Sequence, residues 1–520
     1  MLIYQLLIIS LTIIFSVIYV YGAKRNAISL TKIILNVFAV YALGWIAFMA
    51  FLWFNHINFP LNLEAMELTV VQHLQRVMAG QPVYVEPSPD FVPLAYAPLY
   101  YYFSAPFAWL FGANLFTLRL VAILGMIGSE IVIFLAVKKR TRSNWWAIIA
   151  VGLFAAAYRV MDTYLDNAHS DSWLLFTVLL GCYLIEQNQS RTTNVLGVLS
   201  LIVSFWFKQH GAIFAIGGVL YLTWRDGLRS SWLYWVLAAI FGPGLYAVMP
   251  AAVFGPQFHY YTLTIPSHWS ELNFSAIKRY LGFIIKNYLV LAGIGGFTSV
   301  YFVIKKLGTV SIWYFILPFA MLSGFMGALD PGSNNNVFIT MGVWFIITGV
   351  LGLHALTEQY APTNKWALHL LGIGLSFTLF FYNPASVIVS QKAPEAYQDL
   401  VGYLNSLDGP VYAPWLGQLE NGYTFSPSVH WVPMEDLIRG PGVDTFNHPN
   451  TRMLLDSVIH PDGEPAYILM NYPLEDDPLL SFLLADYRLE ANLGERFAPL
   501  TTLPKRYNLE YPRYLYKFRK

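Results

Sequence analysis

Long apolar runs separated by short basic loops constrain this chain before any other feature does. Runs near 2–21, 33–54, 115–137, 145–160, 173–186, 194–207, 211–224, 231–253, 280–304, 309–328, 337–357 and 366–389 recur along it. A helix needs roughly 18–20 apolar residues to cross a bilayer, and most of these runs come close or exceed that. The short ones, 173–186, 194–207 and 211–224, require tilting or helices broken at membrane depth. Only 12% of the 520 residues are charged and 56% are hydrophobic, whereas soluble domains carry about 25% charge. The expected fold class is an all-α polytopic membrane protein with about twelve transmembrane helices.

Charge placement orients it. Lys24, Arg25 and Lys32, the run "KKRTR" from Lys138 to Arg142, Arg225 with Arg229, and Lys305 with Lys306 form the clearest basic loops. Arg191 and Lys365 mark weaker ones. Basic residues in short loops mark the cytoplasmic side, and with both termini outside every one of these loops falls inside. The run 97–112 contains Pro98 and Pro106 and, if it crossed, would place "KKRTR" on the wrong side. It is therefore expected in the interface plane, where Tyr and Trp rings are at home. The apolar start, 2–21, lacks a basic segment before it and reads as a retained helix rather than a cleaved signal. A net charge of +1 gives no field for nucleic acid, the single Cys182 allows no internal disulfide, and nothing in the sequence suggests a metal cluster.

After residue 390 the character changes. A helix-like stretch, the turn Asp408-Gly409-Pro410 and an apolar strand-like piece predict a small α/β domain on the outer face. The organisation is thus a membrane region, 1–389, with a long first outer loop at 55–114, and a soluble extracytoplasmic domain, 390–520.

Polar chemistry gathers in the loops assigned to the outside. The first carries Glu64 and Glu67, the second Asp162, Asp166, His169 and Asp171, the third Lys208, Gln209 and His210, and a later one Asp330 and Asn334 to Asn336. Polar groups near a bilayer are costly unless they face water or a cavity, so this one-sided gathering predicts a site at the outer surface. If "LEAMELTVVQHLQRVM" is helical, Glu64 and Glu67 share a face, as would Asp162, Asp166 and His169. A carboxylate base and a phosphate-holding cation are what sugar transfer from a lipid phosphate requires.

The stretch from Glu64 to Pro106, with Gly80, Pro82, Tyr84 and then Tyr96, Pro98, Leu99, Tyr100, followed by "LDNAHSDS" and "FKQHG", resembles the GT-C glycosyltransferases. The likeness is to the branch of protein O-mannosyltransferases and lipid A aminoarabinose transferases, and it covers roughly the first 230 residues. The resemblance implies a GT-C-like fold and an inverting transfer from a polyprenyl-phosphate sugar to a hydroxyl of a lipid, glycan or protein. It implies an integral, multi-pass plasma (inner) membrane protein, with its active site on the extracytoplasmic side. No cofactor is implied: some GT-C enzymes use a divalent metal, but this branch generally does not. Glu64 matches the family's first-loop acid and is the expected base. The family's adjacent second acid is here Ala65, with Glu67 further on, which leaves open which glutamate acts. Lys208, Gln209 and His210 are expected at the donor phosphate, and Asp166, His169, Asp171, Tyr96, Tyr100, Asn334 and Asn335 around the sugar. Three rival readings are a flippase of lipid-linked sugars, an O-antigen ligase or polymerase, and a non-catalytic assembly subunit. Transporters place charges near the midplane and show related halves, neither of which is seen here. Ligases and polymerases commonly use a late loop rich in Arg and His, whereas the long loop here is early and acidic.

Overall fold

The computed structural model describes residues 27–249, 253–305, 310–360, 368–441, 448–459, 465–503 and 511–519. The expected span 2–21 and the residues Lys24, Arg25, Lys306 and Lys365 lie outside these. Each of the other expected spans overlaps a helix among the described residues, although within 366–389 the helix ends at Phe380. The helices up to Asp226 are α1 (Ala27–His56), α2 (Glu67–Met78) and α3 (Leu99–Phe111) of the first long loop, α4 (Leu115–Thr141), α5 (Asn144–Ala156), α6 (Asp171–Gln187), α7 (Arg191–Phe207) and α8 (Gly211–Asp226). They continue with α9 (Leu228–Val248), α10 (Phe274–Lys305), α11 (Ile312–Ala328), α12 (Ile339–Tyr360) and α13 (Leu370–Phe380). Among the described residues, five stretches, Leu30–His56, Leu115–Thr141, Leu228–Val248, Phe274–Lys305 and Asn335–Glu358, are long and apolar enough to cross a membrane.

Small residues bring the bundle helices together. A Cβ on Gly152 of α5 would lie 2.3 Å from the Cβ of Ala42 on α1, and one on Gly181 of α6 would lie 2.8 Å from the Gly197 carbonyl of α7. Helices surrounded by lipid have no hydrophobic force between them, so close backbone approach at small residues supplies the packing. The outer surface is itself apolar: Val40, Phe54, Ile131, Phe297, Val300 and Ile304 are exposed. Water would penalise such a surface and lipid does not.

The stretch 97–112 forms α3, whose 13 residues span only about 20 Å at 1.5 Å per residue. It buries Tyr100, Tyr101, Ser104 and Ala108 and exposes Trp109 and Leu110.

Two helical expectations are corrected. Glu64 precedes α2, which begins at Glu67, so the two glutamates do not share a helical face. The Glu67 carboxylate accepts the Leu63 N–H (2.5 Å) and the Asn62 side chain accepts the Leu68 N–H (2.9 Å), so side chains hold the start of α2 there. Asp162, Asp166 and His169 lie in turns after α5, not on a helix. Asp162 and Thr163 adopt positive φ, a conformation that ends a right-handed helix.

The C-terminal segment contains α14 (Ala393–Asn405), α15 (Trp431–Ile438) and α16 (Pro449–Ile459). With them is a sheet of β1 (Val411–Tyr412), β2 (Tyr467–Met470), β3 (Tyr487–Asn492) and β4 (Tyr514–Phe518), in the order β1-β2-β4-β3. β1 and β2 are parallel and the other pairs antiparallel. This segment shares one apolar core with the first long loop, in which Leu63, Leu68, Val71, Tyr84 and Leu94 pack with Tyr412, Phe425, Met434 and Leu469. Backbone bonds cross the join, from Leu503 to the Leu63 carbonyl (2.9 Å) and from Ser428 to that of Pro89 (3.0 Å). The loop and the sheet therefore form one layer over the end of the bundle.

Candidate active site

A cavity of about 230 Å³ lies where this layer meets the bundle. Glu64, Tyr96, Tyr164, Lys208, Gln209, His210, Asn334 and Asn336 line it from one side. Trp415, Val432, Glu435, Asp436 and Arg439 line it from the C-terminal segment.

Glu64 is set by hydrogen bonds. One carboxylate oxygen accepts the Met66 N–H (2.9 Å) and faces His169 Nε2 (3.0 Å), and the other accepts the Tyr164 hydroxyl (2.9 Å). The Asn334 amide in turn donates to that hydroxyl (2.6 Å). Burial and the neighbouring Glu64 charge hold the Tyr164 phenol well above its ordinary range, so it keeps its proton and donates it.

From His169 the network runs to the cation. The other imidazole nitrogen lies 3.5 Å from Asp171, whose carboxylate accepts from Lys208 Nζ (2.7 Å) and from the Asn336 amide (3.1 Å). Burial opposes charge on His169, but Glu64 and then Asp171 override it and raise the imidazole to about 9. Burial likewise opposes the Asp171 charge, yet Lys208 and His169 hold that carboxyl well below its usual range. The result is a continuous chain, Glu64–His169–Asp171–Lys208, with a glutamate and a lysine at its ends, both facing the cavity.

Local sequence explains how Lys208 arrives there. Residues Lys208 to His210 form the turn between α7 and α8, and a Cβ on Gly211 would lie 2.3 Å from Ser204 and Phe205 backbone atoms. Only glycine permits so tight a reversal. Lys208 is 6% exposed and lies 5.8 Å from the centre of the Tyr96 ring. An ammonium has three N–H donors, and one is used on Asp171. Gln209 donates to the Ala95 and Thr262 carbonyls (3.1 and 3.2 Å). Burial and then the Lys208 charge push the His210 imidazole down to about 4, so it is neutral near pH 7.

Other expected site residues lie behind the cavity. Glu67 is fully buried and grips Arg119 through both oxygens (2.9 and 2.6 Å) while accepting the Ala168 N–H (2.8 Å). Arg119 directs its remaining N–H groups to the carbonyls of His56, Phe59 and Leu61 (3.2, 2.5 and 2.6 Å), so all five of its donors are engaged. Asp166 is fully buried between His56 Nδ1 and the Tyr158 hydroxyl, each at 2.7 Å. Tyr100 donates to the Leu118 carbonyl (2.8 Å). Asn335 uses its N–H on Asp162 (2.9 Å) and is absent from the lining, which takes its neighbours Asn334 and Asn336 instead.

Sequence reading missed two groups. Tyr164 sits inside "DTYLDNAHSDS" but was overlooked among the carboxylates around it. Trp415, Glu435, Asp436 and Arg439 come from the C-terminal segment, where no motif signals them. Arg439 pairs with Asp330 (2.6 Å), while Arg279 holds the Asp330–Asn334 loop through the Ser333 hydroxyl (2.8 Å) and the carbonyls of Asp330, Ser333 and Asn334 (2.7–3.0 Å).

Residues 95–242 match the family model described as dolichyl-phosphate-mannose-protein mannosyltransferase. No curated protein matches the chain in sequence. Among solved structures, ArnT from Cupriavidus metallidurans in the apo state is 14% identical, covering 91% of this chain and 97% of that one, with a TM-score of 0.54. The same protein bound to undecaprenyl phosphate is 12% identical over the same shares, with a TM-score of 0.50. The Archaeoglobus fulgidus oligosaccharyltransferase complexed with Zn and sulfate is 13% identical over 84% and 67%, with a TM-score of 0.44. The chain is an integral membrane protein with the GT-C fold, similar to the protein mannosyltransferases and to ArnT.

Proposed function

We propose that this protein is a glycosyltransferase that moves a sugar from a polyprenyl-phosphate donor to an acceptor hydroxyl in this cavity, at the extracytoplasmic face of the inner membrane. The observation that carries the reading is the placement of Glu64 and Lys208 in one cavity, at the two ends of a single chain of hydrogen bonds and one ion-pair contact. The likeness to a structure that binds undecaprenyl phosphate supports the donor class.

In this mechanism Glu64 takes the proton of the acceptor hydroxyl as that oxygen attacks the anomeric carbon. The carbon–oxygen bond to the phosphate breaks, and polyprenyl phosphate leaves with the electron pair. The two N–H groups of Lys208 not used on Asp171 stabilise the charge gathering on that phosphate. His169 fixes the orientation of Glu64 and ties it to Asp171, so base and cation are positioned together. Glu67, locked by Arg119, holds the loop that carries Glu64 and is not the base. The acceptor is a hydroxyl of a lipid, a glycan or a protein.

The test is transfer of labelled sugar from synthetic prenyl-phosphate sugars to a panel of acceptors in detergent. Wild type is expected to transfer, and Glu64→Gln to lose about 10²–10⁴-fold in rate, the range of general-base catalysis, at unchanged abundance. A Glu64→Gln protein as active as wild type would remove the base assignment and favour a non-catalytic role.

A further inference from the structure

The cavity's acidic groups differ in how they are held. Glu64 has three partners, and Asp330 has Arg439 and the Gly332 N–H. Glu435 and Asp436, consecutive on α15, have no hydrogen bond or ion pair from their side chains among the described residues, yet both line the cavity. Asp436 is only 9% exposed. A carboxyl largely withdrawn from bulk water and without a protein partner is open to hydrogen bonds from a ligand in the cavity that it lines.

Resting on the donor class proposed above, we infer that Asp436, with Glu435 beside it, binds hydroxyl groups of the sugar carried on the prenyl phosphate, so that the C-terminal segment selects the donor sugar. The geometry sets the reach. Lys208 lies 5.8 Å from the centre of the Tyr96 ring, and Tyr96 lines the same cavity as Asp436. A sugar bonded directly to a phosphate at Lys208 would share one cavity with Tyr96, Glu435 and Asp436. The chemistry fits hydroxyls: a carboxyl accepts their hydrogen bonds when ionised and also donates when protonated, the form that burial favours at Asp436.

The experiment compares binding of geranyl phosphate with binding of its hexosyl and pentosyl esters by the full-length protein in detergent. Wild type is expected to bind at least one sugar ester more tightly than geranyl phosphate. Asp436→Ala is expected to lose about tenfold of that preference while binding geranyl phosphate as wild type does. Asp436→Asn, which keeps hydrogen-bonding atoms, retains part of the preference. Three outcomes overturn the inference: a wild type with no preference for any sugar ester, an Asp436→Ala protein with the preference intact, or Ala and Asn variants that lose both ligands equally. If wild type binds neither geranyl phosphate nor its esters, the donor class itself falls, which separates that failure from the others. Glu435→Gln provides a second variant on the same wall, with the same direction and a smaller loss.

Discussion

The two walls of the cavity hold their acidic groups in opposite ways. On the bundle side Glu64, Asp171 and Lys208 are each tied to a neighbour, and behind them Glu67 and Arg119 leave no donor idle. On the C-terminal side Glu435 and Asp436 face the cavity with no side-chain partner among the described residues. Tied groups are fixed before any ligand arrives, as chemistry at particular atoms requires. Unpartnered groups take their bonds from whatever binds, as selection among ligands requires.

The largest expected effect comes from breaking the frame of the tied wall. Arg119→Ala strands the buried Glu67 carboxylate, and removing one partner of a buried pair costs about 3–5 kcal/mol. Thermal unfolding in detergent should show a large drop in Tm, or the variant should fail to accumulate. A Tm near wild type would mean that this pair does not hold the first loop. Next is Lys208→Ala, expected to lower the transfer rate by about 10²–10³-fold, as loss of a charge-stabilising group typically does. An undiminished rate in steady-state kinetics would place the donor phosphate elsewhere.

The link between base and cation is tested by pH. His169 has its pKa raised from 6.5 to about 9 in the folded protein. Its contribution, about 3 kcal/mol from about 1.36 kcal/mol per unit, is complete below the unfolded value and is lost as pH rises through about 9. The Tm gap between wild type and His169→Gln should therefore be widest near pH 6 and close by about pH 10. A gap independent of pH would show that the imidazole is not charged between Glu64 and Asp171. The smallest effect is expected far from both walls, at the exposed Arg496–Asp399 pair of the C-terminal segment. Arg496→Ala should cost under about 1 kcal/mol and leave sugar-ester binding unchanged; altered binding would extend the selective surface beyond α15.

The bundle was legible because lipid forces a regular pattern on sequence: apolar runs mark helices and basic loops mark one side. That Glu64 and Lys208 stand apart was legible for the same reason, as charges where that pattern allows few, and the structure lines one cavity with both. The Glu67–Arg119 pair could not be read from sequence, because a carboxylate that binds substrate and one that grips a buried arginine look alike there. Arg119, fully buried within α4, showed nothing of its partner across 52 residues. The turn after α5 was misread because periodicity carries no information on the left-handed backbone at Asp162 and Thr163. Asp436 was invisible, since its position depends on a core that joins segments more than 300 residues apart in the chain, as the contact from Gln72 to Ser428 shows (separation 356).

The central claim is that Glu64 and Lys208 act on one donor in one cavity. The most direct measurement is an experimental structure of the full-length protein with a prenyl phosphate bound. The account predicts the phosphate within hydrogen-bonding distance of Lys208 Nζ, with the Glu64 carboxylate facing the same cavity. A phosphate bound outside that cavity, with Lys208 still closed on Asp171, would contradict it.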